Sequence, residues 1–168
     1  MKTLPVALLF SVLSFNAFAL ENGIYINKEQ GANDPLMYKS VELDNSSCAN
    51  GGFIVKFNNA DPMNFCVGQK ERSVFKYKKC VGKEVSEYPI KVCLGVKKTA
   101  ELITEKEVST EENNALVLSE RNIDDKKLYF EQEYKLIDAG EGKIKLIHSF
   151  ISHTDGRSGT NEINFEKN

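Results

Sequence analysis

The chain has 168 residues, 22 basic against 24 acidic for a net charge of −2, 41% apolar residues, four cysteines and no tryptophan. That balance excludes a dedicated nucleic-acid binder, which carries a strongly basic face and a high pI. The length supports one domain with a real hydrophobic core, and nothing in the totals demands a charged partner.

At the N-terminus, Lys2 precedes an apolar run from Leu4 to Phe18 that closes on Ala17-Phe18-Ala19. A positive start, an apolar middle and a small-x-small end are the order of a secretory signal peptide, which predicts cleavage after Ala19. The run is shorter than the ~20 residues of a bilayer span, and no cysteine adjoins the cut for lipid attachment. No stable membrane anchor is therefore expected. Residues 20–168 are read as a single soluble β-rich domain of 149 residues, periplasmic or secreted, with net charge −3 once Lys2 is lost.

Short β-runs separated by turn residues then follow one another. Alternation is clearest at 51–59, where Phe53, Val55 and Phe57 share a side, and at 88–96, where Tyr88, Ile90, Val92, Leu94 and Val96 do. Further strands are predicted at 23–27, 37–44, 73–81, 115–122, 127–138, 143–153 and 161–166. Turn chemistry lies between them at Asn33-Asp34-Pro35, Glu112-Asn113-Asn114, Asn122-Ile123-Asp124-Asp125 and Ala139-Gly140-Glu141-Gly142. The expectation is an all-β antiparallel meander closing into a small barrel or sandwich. Residues 97–112 fit a strand or one short helix equally, because helix formers are present but an amphipathic helical spacing is not.

Four cysteines in an exported chain predict two disulfides that staple its N-terminal half. Strand parity selects among the three pairings. With Phe75 and Tyr77 marking an inner face, Cys80 points outward beside Lys76 and Lys78. With the even residues of 88–96 inward, Cys93 points outward beside Lys91. Cys80 is predicted to face Cys93 directly, setting Lys78 opposite Gly95 and Gly82 opposite Lys91, and Cys48 is left to pair with Cys66. Neither a redox Cys-x-x-Cys nor a zinc-ribbon spacing is present, so thiol and zinc chemistry are disfavoured.

No motif for catalysis, metal or cofactor emerges. His148 and His153 are five apart on a strand and point to opposite faces. Ser73-Val74-Phe75-Lys76 has the Ser-x-x-Lys spacing of penicillin-recognising enzymes, but it alternates like a strand and so parts the two side chains. Asn45-Ser46-Ser47 fits a glycosylation acceptor, and Glu131 and Glu133 read as a solvated outer face.

Two candidate surfaces remain. Pairing 127–138 with 143–153 around a loop at 138–142 sets Gln132 opposite His148, Tyr134 opposite Leu146 and Phe130 opposite Phe150. Gln132 and His148, with Tyr134 nearby, would then be a polar anchor in an apolar stripe, either hydrogen-bonded in a core or lining a ligand cavity. The second surface is electrostatic. Residues 70–98 carry nine basic and three acidic side chains, and residues 99–133 carry ten acidic and four basic. Interleaved, these segments cancel as a mosaic; separated, they leave Lys76, Lys78 and Lys91 as a rigid basic patch for an acidic partner. The reading favours binding over catalysis. Another protein is the leading partner, in the manner of an inhibitor or immunity factor, and a small apolar ligand in a lipocalin-like barrel is the alternative.

Overall fold

The computed structural model describes residues 20–28, 39–58, 60–87, 90–111 and 115–168; the expected leader at 1–19 and the turns at 33–35 and 112–114 lie outside them. In chain order the strands are β1 (Gly23–Ile26), β2 (Ser40–Asp44), β3 (Ile54–Phe57), β4 (Met63–Asn64), β5 (Lys70–Glu87), β6 (Ile90–Thr110), β7 (Leu116–Asp124), β8 (Lys127–Gly140), β9 (Lys143–Ser152) and β10 (Ser158–Lys167). All are antiparallel in one sheet of order β4-β3-β2-β1-β10-β9-β8-β7-β6-β5, with no helix among the described residues. The segment at 97–112, undecided in sequence, extends β6. Its β-branched Thr99, Ile103, Thr104, Val108 and Thr110 suit a ladder, and β6 has β5 on one side and β7 on the other.

Connectivity forces this sheet to curl. A flat ten-stranded sheet would part its two edges by about 40 Å, whereas residues 65–69, which join edge β4 to edge β5, reach less than about 20 Å. The seam is bridged by that strap: Val67 N donates to Gly51 O at 2.9 Å, Gly68 N to Val108 O at 3.1 Å and Val108 N to Gln69 O at 3.0 Å. The Cys48–Cys66 disulfide fixes the strap beside the start of β3. Gly52 allows its approach, since a Cβ there would lie 2.1 Å from Phe65 O. The ladder does not close across the seam, so barrel or sandwich describes the shape only approximately.

Inside the curl, Tyr25, Val41, Leu43, Phe53, Val55, Phe57 and Phe65 from the N-terminal strands and strap meet Val108, Leu116, Leu118, Tyr134, Leu136, Ile144, Leu146 and Phe165. The expected inward set at 53, 55 and 57 is buried. Phe75, expected inward, is instead 65% exposed, because β5 and β6 continue well past the end of this core.

Two tight turns differ from the expected loops, and one of them resets the expected register. Asp125 and Lys126 (φ 49° and 70°) connect β7 to β8, and Glu141 and Gly142 (φ 52° and 71°) connect β8 to β9. Paired positive φ values mark the turn whose twist matches a hairpin. Asn122 to Asp124, predicted as turn, is therefore strand. A tight turn at 141–142 and a bulge between Asp138 and Gly140 replace the predicted loop at 138–142, sliding β8 against β9 by two residues. Gln132 faces Phe150, Tyr134 faces His148 and Leu136 faces Leu146. A two-residue slip preserves which face each side chain occupies, so the apolar stripe survives the correction.

Candidate functional site

Two regions of the curled sheet bring the candidate side chains together: an arm made by β5 and β6, and the open half of the concave face.

Between 77–87 of β5 and 90–100 of β6, each strand has only the other as ladder partner among the described residues. Cys80 faces Lys97 and Cys93 faces Glu84, which corrects the predicted direct opposition of the two cysteines. On a straight ladder, four positions separate them by about 13 Å. Their Cα atoms are 5.6 Å apart and the disulfide is formed, so the ribbon folds sharply between them. The pair at the centre of that interval is Gly82 opposite Gly95. Gly82 has φ +136°, and a Cβ on Gly95 would lie 2.3 Å from Val81 O, so both positions need the absence of a side chain.

Parity divides the arm into two faces. The disulfide face carries the predicted partner-binding residues, each with a cross-strand neighbour. Lys76 Nζ lies 3.6 Å from Glu101, Lys91 Nζ lies 3.9 Å from Glu84, and Lys78 Nζ donates to Thr99 Oγ1 at 2.9 Å. The wider charge pattern is likewise interleaved, with Lys70 on Glu107 at 2.7 Å, Arg72 on Glu105 at 3.2 Å and Lys106 on Glu120 at 3.5 Å. Exposed pairs of this kind contribute little stability. They do moderate the basic patch without burying it.

The opposite face holds Phe75, Tyr77, Lys79, Val81, Lys83 and Val85 against Leu102, Ala100, Lys98, Val96, Leu94 and Val92. Its root is tied down by Asp124 at the end of β7, whose carboxylate accepts from the Tyr77 hydroxyl and from Lys79 Nζ, the latter at 2.8 Å. These two bonds hold the Asp124 carboxyl below its ordinary pKa, Lys79 first and Tyr77 second. The same carboxylate raises both partners, disfavouring the Tyr77 phenolate and favouring the Lys79 ammonium. Beyond that root, Val81 (49% exposed), Val92 (47%), Leu94 (59%) and Val96 (64%) are uncovered.

On the concave face, the predicted trio does meet. Gln132 Oε1 accepts from His148 Nε2–H and from Tyr134 Oη, each at 3.2 Å, although Gln132 and His148 are diagonal rather than opposite. The His148 ring lies flat on the Tyr134 ring, with centroids 4.2 Å apart and planes 4° from parallel. Desolvation lowers the His148 pKa, which favours the neutral imidazole. Gln132 and Tyr134 also line a cleft of ≈ 190 Å³ whose floor is Val108 and Leu118 and whose rim includes Lys106 and Glu120. His153 is on the other side of the sheet, 3.1 Å from Glu131. No three His, Cys, Asp or Glu side chains converge to hold a metal ion among the described residues.

Sequence reasoning found the cysteine pairs, the lysine face and the polar trio. It missed Asp124 as the arm's anchor and the Gly82/Gly95 bend. Gly95, a lone glycine inside the predicted strand 88–96, was the available signal for the bend, whereas Gly82 fell in the expected turn at 82–87, which is strand. These features define a disulfide-stapled, curled all-β protein with a projecting arm. No protein-family model, curated protein or solved structure matches the chain.

Proposed function

We propose that the chain is an exported binding protein that presents the bent β5–β6 arm to another protein, in the manner of an inhibitor or immunity factor. The observation that carries this reading is the arm itself, a two-stranded ribbon extended past the core and folded by a disulfide. Isolated two-stranded ribbons are marginally stable in water. A ribbon this long, locked at its bend and anchored at its root, is a costly feature for a purely structural strand pair. Lys76, Lys78 and Lys91, beside the Cys80–Cys93 bond, are the partner-binding residues, and they suit an acidic surface.

Two disulfides are compatible with an oxidising compartment outside the cytoplasm. A periplasmic or secreted location completes the proposal through the leader at 1–19. The test is capture from periplasmic extract with the purified mature chain, using wild type beside the charge-reversed triple variant K76E/K78E/K91E. A specific partner retained by wild type and lost by the variant is expected; equal capture by both would sink the reading.

The cleft beside Gln132 and Tyr134 supports a second reading, a small apolar ligand anchored by the Gln132, Tyr134 and His148 trio. Its ≈ 190 Å³ is below the usual range of about 300–1,000 Å³ for drug-sized ligands, so the occupant would have few atoms. A ligand-induced change in the His148 ring resonances, absent in Q132L, is the expected observation.

A further inference from the structure

We propose that the aliphatic face of the arm, opposite the disulfide, docks onto an anionic lipid surface. Beyond the Tyr77 and Lys79 anchor this face carries Val81, Leu94, Val96, Val92 and Val85, the first four being roughly half to two-thirds exposed. Val81 stands opposite Val96 and Val85 opposite Val92, pairs that stiffen the ribbon. Leu94 has no such partner, since it faces Lys83.

From the pair Phe75 and Leu102 to the pair Val85 and Val92 the charge on this face is one-sided, with Glu87 following at the end of β5. Lys98 lies across from Lys79, whose ammonium is taken by Asp124, while Lys98 and Lys83 have no ion pair among the described residues. No carboxylate occupies this face at positions 75–85 or 92–102, because Glu84 and Glu101 both sit on the disulfide face. Its complement is therefore apolar and anionic together. An aqueous anion would leave the valines and Leu94 unmatched, and a neutral apolar groove would leave the lysines unmatched.

Shape decides between lipid and protein. The Cys80–Cys93 bond draws the disulfide face inward, which makes the aliphatic face the outer side of the bend. A projecting edge of Val and Leu lacks the Trp, Tyr and Arg anchors that dominate protein hot spots, and suits a deformable interface that accepts aliphatic side chains between anionic headgroups. The edge of β5 itself is not the docking element. Lys70, Arg72, Lys76, Lys78, Lys79 and Lys83 along one strand are the usual defence against pairing with a second copy.

The test is flotation of the purified mature chain with vesicles rich in phosphatidylglycerol and, separately, with pure phosphatidylcholine. Wild type is expected to float with the anionic vesicles, and L94D/V96D and K83E/K98E each to lose about tenfold or more of that binding. Because the chain has no tryptophan, L94W is a single-site reporter that keeps the rest of the arm intact. Its emission is expected to shift to the blue with the anionic vesicles alone. An unshifted emission, equal binding to phosphatidylcholine, or binding unchanged in L94D/V96D would overturn the proposal. The lysine-face variant K76E/K78E/K91E tests the protein-partner reading separately, since its residues lie on the other side of the ribbon.

Discussion

Gly82 stands directly opposite Gly95, and the two backbones meet so closely that a Cβ on either would lie 3.2 Å from the other's Cα. That contact is what lets Cys80 and Cys93, four ladder positions apart, come within disulfide reach.

Gly95→Val should prevent the fold of the ribbon, since its side chain would run into the Val81 carbonyl. The wild-type chain has no free cysteine among the described residues. Thiol titration of unfolded, unreduced G95V is expected to find the Cys80 and Cys93 thiols, and a variant without free thiols would show that the bend does not depend on Gly95.

The two staples act on different parts of the molecule. Cys48–Cys66 closes a separation of 18 residues at the seam, and replacing both cysteines with alanine should cost roughly 3 kcal/mol of global stability on the chain-entropy model. Denaturant unfolding measures it. Removing Cys80–Cys93 should instead leave β7 to β9 as protected as before and accelerate hydrogen exchange within 77–87 and 90–100, where each strand has a single partner.

Parity, the most reliable property of a strand, was legible throughout the chain. It placed Cys80 with Cys93 on one face, Phe53, Val55 and Phe57 inside, and Gln132 on the same face as His148. Register was not legible, because it depends on turn geometry. The left-handed pair Glu141 and Gly142 and the bulge at 138–140 moved β8 against β9 by two residues, and the continuation of β5 through 82–87, paired up to Glu87 with Ile90, set the cysteines four positions apart. Nor could alternation tell a buried face from a projecting one. Val92, Leu94 and Val96 alternate as cleanly as Phe53 and Val55, yet only the latter are covered by the core inside the curl.

His148 should make stability depend on pH near neutrality. Its folded pKa lies below the ordinary 6.5, so between those two values the unfolded chain binds the proton that the folded chain does not. Stability from this site is complete above the unfolded pKa, falls as the pH drops through it, and levels off below the folded pKa. H148Q, which keeps a donor for Gln132, is expected to flatten that part of the curve. An unchanged slope in chemical unfolding across the range would contradict it.

Asp124→Asn tests the anchor at the root of the arm. The Asp124 carboxylate disfavours the Tyr77 phenolate, so the variant should move the Tyr77 ionisation down toward the ordinary value of about 10. Tyrosine-selective NMR titration reads this directly, and a Tyr77 pKa unmoved by the substitution would mean that the hydroxyl is held elsewhere.

Binding through the arm can be read at a single position. The most direct measurement places a photo-crosslinking residue at Thr99, beside Lys78 on the disulfide face, in the exported full chain. One discrete protein adduct is expected, and it should disappear when Lys76 and Lys91 are reversed in charge. No adduct at Thr99, or an adduct indifferent to those reversals, would contradict it.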